Sequence, residues 1–585
     1  MESSGGNSSS CGVTGGENSL KRLVCLWVFL SCGLAAQDGI PVILISIDTL
    51  RADRVSAYGY HKLRTPEIDS FAGGGTLFSA IDSQIPLTLP SHTSLFTSTY
   101  PFANGIEENG ERVPAGAVTL ATVLRAHGYR TAAFVGSILL HRRLGLDQGF
   151  DVYDSPFDPA GGSRNPYSMR VRRDGALVLR AARQYLETHR GQKVFVFVHL
   201  FDLHAPYARA AAAGPLPRAA GYDAELAYVD GLLGRFRQAL VAGGWWDRSL
   251  VVLLSDHGES LGEHGETSHG YFAYQSTLWV PLIMHWPKAQ PRHPARVDRP
   301  GGLIDVAPTI LESLDIARPA SFVGSSLLAN AGPHPVASEA VYARDAFRWA
   351  PLRSLREGSF QFIDAPKPEL YDLHDDRAER TNLAAAHPAE AAKLRSELSA
   401  IWASAKTAPQ APAHRSSLES LGYVSPAAPL PGNQPAPDPK DRLPQYNLFE
   451  SALTTMYAGH PDAAVPRFRR LIAQDPQSTM ARYYLGEAFV RLGQAEEAIR
   501  EWNAALSRDP GYEPLYLALG EVWMARRDYA RAESYFLQAT TLAPFDADAF
   551  RGAALAETAL KHEGPAGEHW RKACALAPEF SECRK

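Results

Sequence analysis

The 585-residue sequence predicts an α/β domain built on a mostly parallel sheet, followed by an all-α solenoid of helical hairpins. Three observations carry that prediction. Four short segments, Pro41–Ile47, Thr131–Val135, Val194–Leu200 and Ser249–Leu254, are apolar on both faces and rich in β-branched residues. Strands covered by helices on either side read this way. Amphipathic stretches alternate with them from residue 38 to about 405. Beyond that point prolines recur at Pro476, Pro510, Pro544 and Pro578, 34 residues apart each time. A fixed period of that length marks stacked repeats.

A chain of this length cannot close one hydrophobic core, so it divides. The expected parts are an N-terminal signal peptide or anchor at 1–37, the α/β domain at 38–405, a linker at 406–444 and the repeats at 445–585. Nine prolines between Pro409 and Pro444 give the linker its composition. The apolar and charged fractions, 45% and 21%, are those of an ordinary globular protein. A net charge of -5 with no basic stripe argues against a nucleic-acid partner. The five cysteines lie only at the ends, as Cys11, Cys25, Cys32, Cys574 and Cys583. The body of the protein therefore has no disulfide framework, zinc-thiolate cluster or cysteine nucleophile.

The N-terminus has the order of an export signal. Lys21-Arg22 precede an apolar run from Leu23 to Leu34, and the small residues Ala35-Ala36 follow. The run is shorter than a comfortable membrane span of about 20 residues. The expected location is exported, periplasmic or envelope-associated. Membrane association would come only from this segment or from lipidation at Cys32.

Three of the apolar strands end in acid or imidazole. Val42–Ile47 runs into Asp48, Val194–Leu200 into Asp202 and His204, and Ser249–Ser255 into Asp256-His257. In open α/β sheets ligands bind beyond the carboxyl ends of the strands. An aspartate there also serves as an ordinary helix cap, but three strands delivering Asp and His to one edge favour a metal or catalytic site. The run Leu87-Thr88-Leu89-Pro90-Ser91 suits a helix start. It sets Thr88 where backbone N–H groups and the helix dipole favour an anion. A bare threonine hydroxyl is a poor nucleophile, and a divalent cation makes it a competent one.

In the C-terminal part, the second unit places Leu485, Gly486, Phe489, Ala498, Trp502 and Ala505. The third places Leu519, Gly520, Trp523, Ala532, Phe536 and Ala539 at the same offsets. This resembles the tetratricopeptide repeat, which implies a groove for a protein or peptide partner.

The α/β part resembles the sulfatase and alkaline-phosphatase-like superfamily over residues 40 to about 400. The motifs are Ile45-Ser46-Ile47-Asp48-Thr49-Leu50-Arg51-Ala52-Asp53, Thr88-Leu89-Pro90-Ser91, Asp256-His257-Gly258-Glu259 and Pro368-Glu369-Leu370-Tyr371-Asp372-Leu373. They occur in the family's order. The resemblance implies an alkaline-phosphatase-like sandwich with Asp48, Asp256 and His257 as metal ligands. Thr88 becomes both ligand and nucleophile. It implies a substrate contact for Asn109 and for His269, and a place for His204 near the leaving group. His92 stands where the family keeps a substrate-binding arginine. His264 reads as a loop histidine and His285 as a strand-end residue.

The implied cofactor is a divalent cation, Zn, Mn or Ca. The aspartate–histidine set leans toward Zn or Mn rather than all-oxygen coordination. Asp202, His204 and His269 would either form a second metal site or touch substrate. Sulfatases proper carry cysteine or serine at position 88, converted to formylglycine, and threonine cannot become that aldehyde. The expected activity is therefore hydrolysis of a phosphate- or sulfate-type ester, with phosphodiester or phosphomonoester cleavage or phosphoryl transfer through Thr88 leading. Three alternatives stand beside it: a sulfuric ester hydrolase, an envelope phosphoethanolamine or phosphoglycerol transferase, and a repeat-based binding protein with a relict hydrolase domain.

Overall fold

A computed structural model of the protein describes residues 39–157, 172–207, 216–328, 334–404, 435–578 and 580–584. The expected export segment 1–37, with Cys32, lies outside the described residues, as does most of the proline-rich linker.

Nine strands form the central sheet in the order β4-β3-β5-β1-β6-β7-β2-β8, with β9 also pairing β2. They are β1 Val42–Ile47, β2 Thr76–Asp82, β3 Arg130–Phe134, β4 Val152–Asp154, β5 Val194–Leu200, β6 Leu250–Leu254, β7 Trp279–His285, β8 Arg296–Val297 and β9 Gly301–Gly302. All pairings are parallel except those of β7, which runs against both β6 and β2. The four segments read as strands from sequence are β1, β3, β5 and β6, each within a residue or so. The mostly parallel sheet is thus the one expected.

Period-2 alternation sends one set of side chains to each face. Val42, Leu44, Phe195, Phe197, Val252 and Leu254 pack with Leu89, Leu95 and Phe96 of helix α1, Thr88–Thr97. Ile43, Ile45, Val196, Val198, Val251 and Leu253 face α2, Gly175–Thr188, and α3, Arg218–Ala242. Both faces are covered, which is why these strands carry no polar alternation.

A second, antiparallel sheet of four strands follows: β10 Val336–Ala340, β11 Leu352–Glu357, β12 Phe360–Asp364 and β13 Glu369–Asp372. Helix α4, Pro388–Ser404, covers one face through Leu394 and Leu398. The sequence reading saw only the Pro368–Leu373 signature here.

The repeats are four helical hairpins: α5 Leu443–Tyr457 with α6 Pro461–Gln474, α7 Thr479–Arg491 with α8 Ala495–Leu506, α9 Glu513–Ala525 with α10 Tyr529–Leu542, and α11 Ala547–Leu560 with α12 Glu563–Leu576. The repeated small and aromatic positions meet as the motif requires. A Cβ on Gly486 would collide with the Trp502 indole, and one on Gly520 would lie 2.7 Å from Phe536. Trp502 Nε1 donates to the Tyr483 carbonyl at 2.9 Å. A disulfide joins Cys574 to Cys583 at the end of the array.

The array is docked on the α/β domain. Residues 435–442, expected to be linker, run along its surface. Ala350 N–H donates to Pro437 O at 2.9 Å, Tyr271 Oη to Pro439 O at 2.8 Å, and Lys367 N–H to Asp438 Oδ2 at 2.9 Å. One apolar cluster includes Tyr271, Phe272, Tyr274 and Trp349 together with Tyr446, Phe449 and Tyr484. At the far end the Arg143 guanidinium lies 4.7 Å over the Phe580 ring.

Replacing Gly486 with valine should destabilise the array by about 2 kcal/mol or more, because the indole has no room to retreat. Denaturant melts followed by tryptophan fluorescence check this; an unchanged midpoint would contradict the close approach.

Candidate metal centre and active site

The site lies where β5, β1 and β6 end side by side. The parallel register opposes Ser46 to His199 and to Leu254, so the residues beyond each strand emerge together. Asp48 continues the pairing, its N–H donating to Leu200 O at 2.9 Å. Ser255 ties β1 to β6. Its Oγ accepts from Leu50 N–H at 2.8 Å and lies 2.7 Å from the carbonyls of Ile47 and His257. Thr49 has φ 60°, unusual for a β-branched residue. This turn lets its N–H reach Asp256 Oδ1 at 3.3 Å.

Asp48, Asp256 and His257, all wholly buried, bring ligand-type atoms within 4.8 Å of one another. Asp48 Oδ1, Asp256 Oδ2 and His257 Nε2 have no hydrogen-bond partner. His257 Nδ1 lies 2.9 Å from the Gly258 carbonyl. A carbonyl only accepts, so Nδ1 carries the proton and Nε2 presents a lone pair. Three unpartnered atoms are thus Lewis bases with no donor among them. Burial pushes the Asp48 carboxyl up to about 6, with His257 and the Thr88 hydrogen bond opposing, and burial followed by Asp48 raises Asp256. The donor set fits a divalent cation: two carboxylates and an imidazole, short of positive charge.

Thr88 is the first residue of α1, and its Oγ1 lies 3.2 Å from Asp48 Oδ2. All ten residues of α1 are buried although six of them are polar. Most of the polar groups find partners: Thr93 Oγ1 donates to Leu89 O at 2.8 Å, Thr97 Oγ1 to Thr93 O at 2.6 Å and Ser91 Oγ to Asp256 O at 2.7 Å, while Ser94 Oγ has none. Asn109 accepts the Leu89 N–H at its Oδ1, 2.8 Å away, and leaves Nδ2 without a partner.

His92 takes a place different from the one expected. Its Nδ1 is 2.7 Å from Thr88 O and its Nε2 3.0 Å from Ser46 Oγ. The ring is wholly buried, and burial holds it down at about 4. Both nitrogens are engaged, so the side chain braces the Thr88 backbone against β1 instead of facing outward as a substrate contact. Asp202 also turns away, its Oδ2 accepting from Gly175 N–H at 2.9 Å at the start of α2.

His204 and His269 come together on the other side of His257. Their rings are 5.1 Å apart, and the rings of His257 and His269 4.4 Å. His204 Nδ1 is 2.7 Å from Ala205 O, and its Nε2 has no partner. Glu259 Oε1 accepts from Arg218 Nη2 at 3.2 Å and lies 3.7 Å from His269 Nδ1, beyond a good hydrogen bond. Burial alone would raise Glu259, but Arg218, with His269 and His204, holds it at about 2. His264 stacks on Tyr274 at 3.6 Å and His285 on Trp246 at 4.0 Å, both away from these groups.

One member of the site escaped the sequence reading. His199, the sixth residue of β5, places Nε2 3.3 Å from Asp48 Oδ2 and packs edge-on against His92 at 5.0 Å. With His92 and Asp256 it forms a second buried cluster of ligand-type atoms. The only signal was one imidazole in an otherwise apolar strand.

Comparison with known proteins agrees with this arrangement. Residues 41–316 match the family described as Sulfatase, and residues 449–513 match the tetratricopeptide repeat. Human arylsulfatase D is 22% identical over 382 residues, covering 46% of this chain and 64% of that protein. Choline-sulfatase of Rhizobium meliloti is 34% identical over 173 residues, 28% of this chain and 32% of that one. The chain therefore spans less than two thirds of these curated relatives. A phosphonate monoester hydrolase of Agrobacterium radiobacter superposes with a TM-score of 0.52 at 20% identity, covering 62% of this chain and 95% of that one, a likeness of fold. Residues 41–316 thus form a sulfatase-family domain with the fold of the alkaline-phosphatase-like superfamily. The protein joins that domain to tetratricopeptide repeats.

The charge argument gives a stability test. Asp48's folded pKa of about 6 lies above its ordinary 3.8, so this group takes up a proton on folding. With metal chelated, its contribution is full below about pH 4 and is lost as pH rises through 6, by up to about 3 kcal/mol. A bound cation reverses the preference. The stability gap between metal-loaded and chelated protein should be wider at pH 7.5 than at pH 4.5 in denaturant melts; equal gaps would contradict the assignment.

Proposed function

We propose that this protein hydrolyses sulfate- or phosphate-type esters with Thr88 as the attacking oxygen. The observation that carries this reading is Thr88 Oγ1, 3.2 Å from Asp48 Oδ2 beside three ligand atoms that lack a donor. A divalent cation held by Asp48, Asp256 and His257 would supply Lewis-acid chemistry, lowering the hydroxyl's pKa and neutralising charge on the ester. The Thr88 proton points at Asp48 Oδ2, the direction in which it leaves. Asn109, its Oδ1 pinned by Leu89 N–H, holds Nδ2 ready to donate to a non-bridging oxygen. His204 has Nδ1–H held by Ala205 and a lone pair on Nε2. That nitrogen takes the proton of the water that releases the group from Thr88, and the imidazolium so formed is the acid for the next leaving oxygen. Burial, then His269 and Arg172, keep this ring well below the usual histidine range, so its protonated form is a strong donor.

Two versions of the reading differ in the central atom. The relatives' names favour sulfate esters over phosphodiesters, and they include an arylsulfatase and a choline-sulfatase. The residue at position 88 favours phosphorus, because threonine attacks directly and cannot become formylglycine. Transfer to an acceptor alcohol in place of water is the same chemistry with a different second substrate. We locate the protein outside the cytoplasm, supported by the export order of residues 21–36 and by the Cys574–Cys583 disulfide, a bond oxidising compartments preserve. The repeats are read as a surface for a protein or peptide partner.

Thr88→Ala should lower kcat by about three orders of magnitude or more while metal content stays the same; unchanged turnover would end the reading. Rates on an aryl sulfate and an aryl phosphodiester decide the central atom. Mass spectrometry of quenched protein should find the sulfated or phosphorylated Thr88 peptide with whichever ester is cleaved.

A further inference from the structure

A cavity of about 200 Å³ opens where the α/β domain meets the first two repeats, and no side chain of the metal centre lines it. Its walls come from both sides. The α/β domain supplies Phe347, Arg348 and Trp349, at the end of the short helix Tyr342–Phe347. The repeats supply Arg442, immediately before α5, and Phe449 on α5. Phe347 stacks on Trp349 at 4.4 Å with the rings 18° apart, and Phe449 stands edge-on to Phe347 at 5.2 Å. Three rings from two domains are thus fixed around one space.

The polar part of the lining is cationic. Arg348 reaches Asp509 through Nη2 at 3.5 Å, the outer limit of a hydrogen bond, and its Nε has no acceptor. Arg348 also closes its helix at φ 59°, where glycine is the usual residue. A side chain kept in that strained conformation has its reason in the surroundings. Arg442 makes no hydrogen bond or ion pair with any described residue, and its Nε is shielded from water without an acceptor. One acid lines the space, the exposed Asp475, whose Oδ1 accepts Gln477 N–H at 3.0 Å in its own turn. The start of α7, where Ser478 accepts Ala481 N–H at 3.2 Å, adds the positive end of a helix dipole. Partly desolvated guanidinium without a partner is costly, and an anion relieves it. Size agrees with this chemistry. A cavity of about 150 Å³ holds a benzene ring, so this one takes a ring with a short charged arm. Stacked and edge-on aromatics suit a flat apolar body, and the planar fork of a guanidinium suits a carboxylate.

We propose that this cavity is a binding site for a small aromatic carboxylate, its ring against Phe347, Trp349 and Phe449 and its oxyanion on Arg442 with Arg348. Because the walls belong to two domains, the bound ligand ties the first repeat to the α/β domain. The site goes beyond the ester-hydrolase reading and does not depend on it.

Calorimetric titration of the full-length, metal-loaded protein with phenylacetate and with neutral phenylacetamide tests it. Phenylacetate should bind about tenfold more tightly than the amide, and Arg442→Gln should bring the two within about twofold, while Arg442→Lys retains part of the preference. Equal binding of both probes by the wild-type protein would overturn the proposal, a comparison that needs no variant. An undiminished preference in folded Arg442→Gln would overturn it too. Repeating the titration after chelation separates this cavity from the metal centre. The same affinity for phenylacetate is expected with and without metal; a preference that disappears with the metal would put the anion at the catalytic site and overturn the proposal.

Discussion

Two wholly buried carboxylates, each with one oxygen that no hydrogen-bond donor reaches, are the constraint on which this structure turns. Asp48 and Asp256 each carry an oxygen without a partner, and His257 adds a lone pair between them. Burying such charges uncompensated costs several kcal/mol apiece, even after relaxation. The set fits a divalent cation, which would offset that cost. The neighbouring structure is arranged to hold these atoms still: β1 and β6 lie side by side, Ser255 bridges their ends, and the Thr49 turn aims a backbone N–H at Asp256.

That turn has a cost, as does the helix beside it. A left-handed β-branched residue stores about 1–3 kcal/mol and persists only where its surroundings dictate it. Helix α1 places hydroxyls and an imidazole in the middle of a domain, where each must find a partner or be penalised. Thr93, Thr97, Ser91 and His92 all find theirs in the backbone or in Ser46. The two departures from ordinary packing serve the same carboxylate pair, Thr49 N–H on Asp256 and Thr88 Oγ1 on Asp48.

Much of this was legible in the sequence because it depends on local pattern. Strands buried on both faces read as continuous apolar runs, and their carboxyl ends pointed to Asp48 and Asp256. The 34-residue period gave the repeats. What was hidden depends on contacts between distant segments. His199 lies inside an apolar strand, and only the register with β1 shows that it reaches Asp48. His92 read as a substrate contact because it stands where the family keeps a substrate-binding arginine; the helix instead turns its ring inward. The antiparallel sheet was missed because strands such as β11, Leu-Arg-Ser-Leu-Arg-Glu, mix charge with apolar residues as half-exposed strands do. Nothing in the linker's composition announced that residues 435–442 would bind the α/β domain, or that Tyr446 would stack on Tyr271.

The most direct measurement is anomalous diffraction from crystals of the metal-loaded protein, collected at the absorption edge of the metal found in it. The account requires a peak within bonding distance of Asp48, Asp256 and His257, with Thr88 Oγ1 turned toward it. A map with no peak there, or with the metal bound elsewhere and Thr88 packed against hydrocarbon, would contradict it.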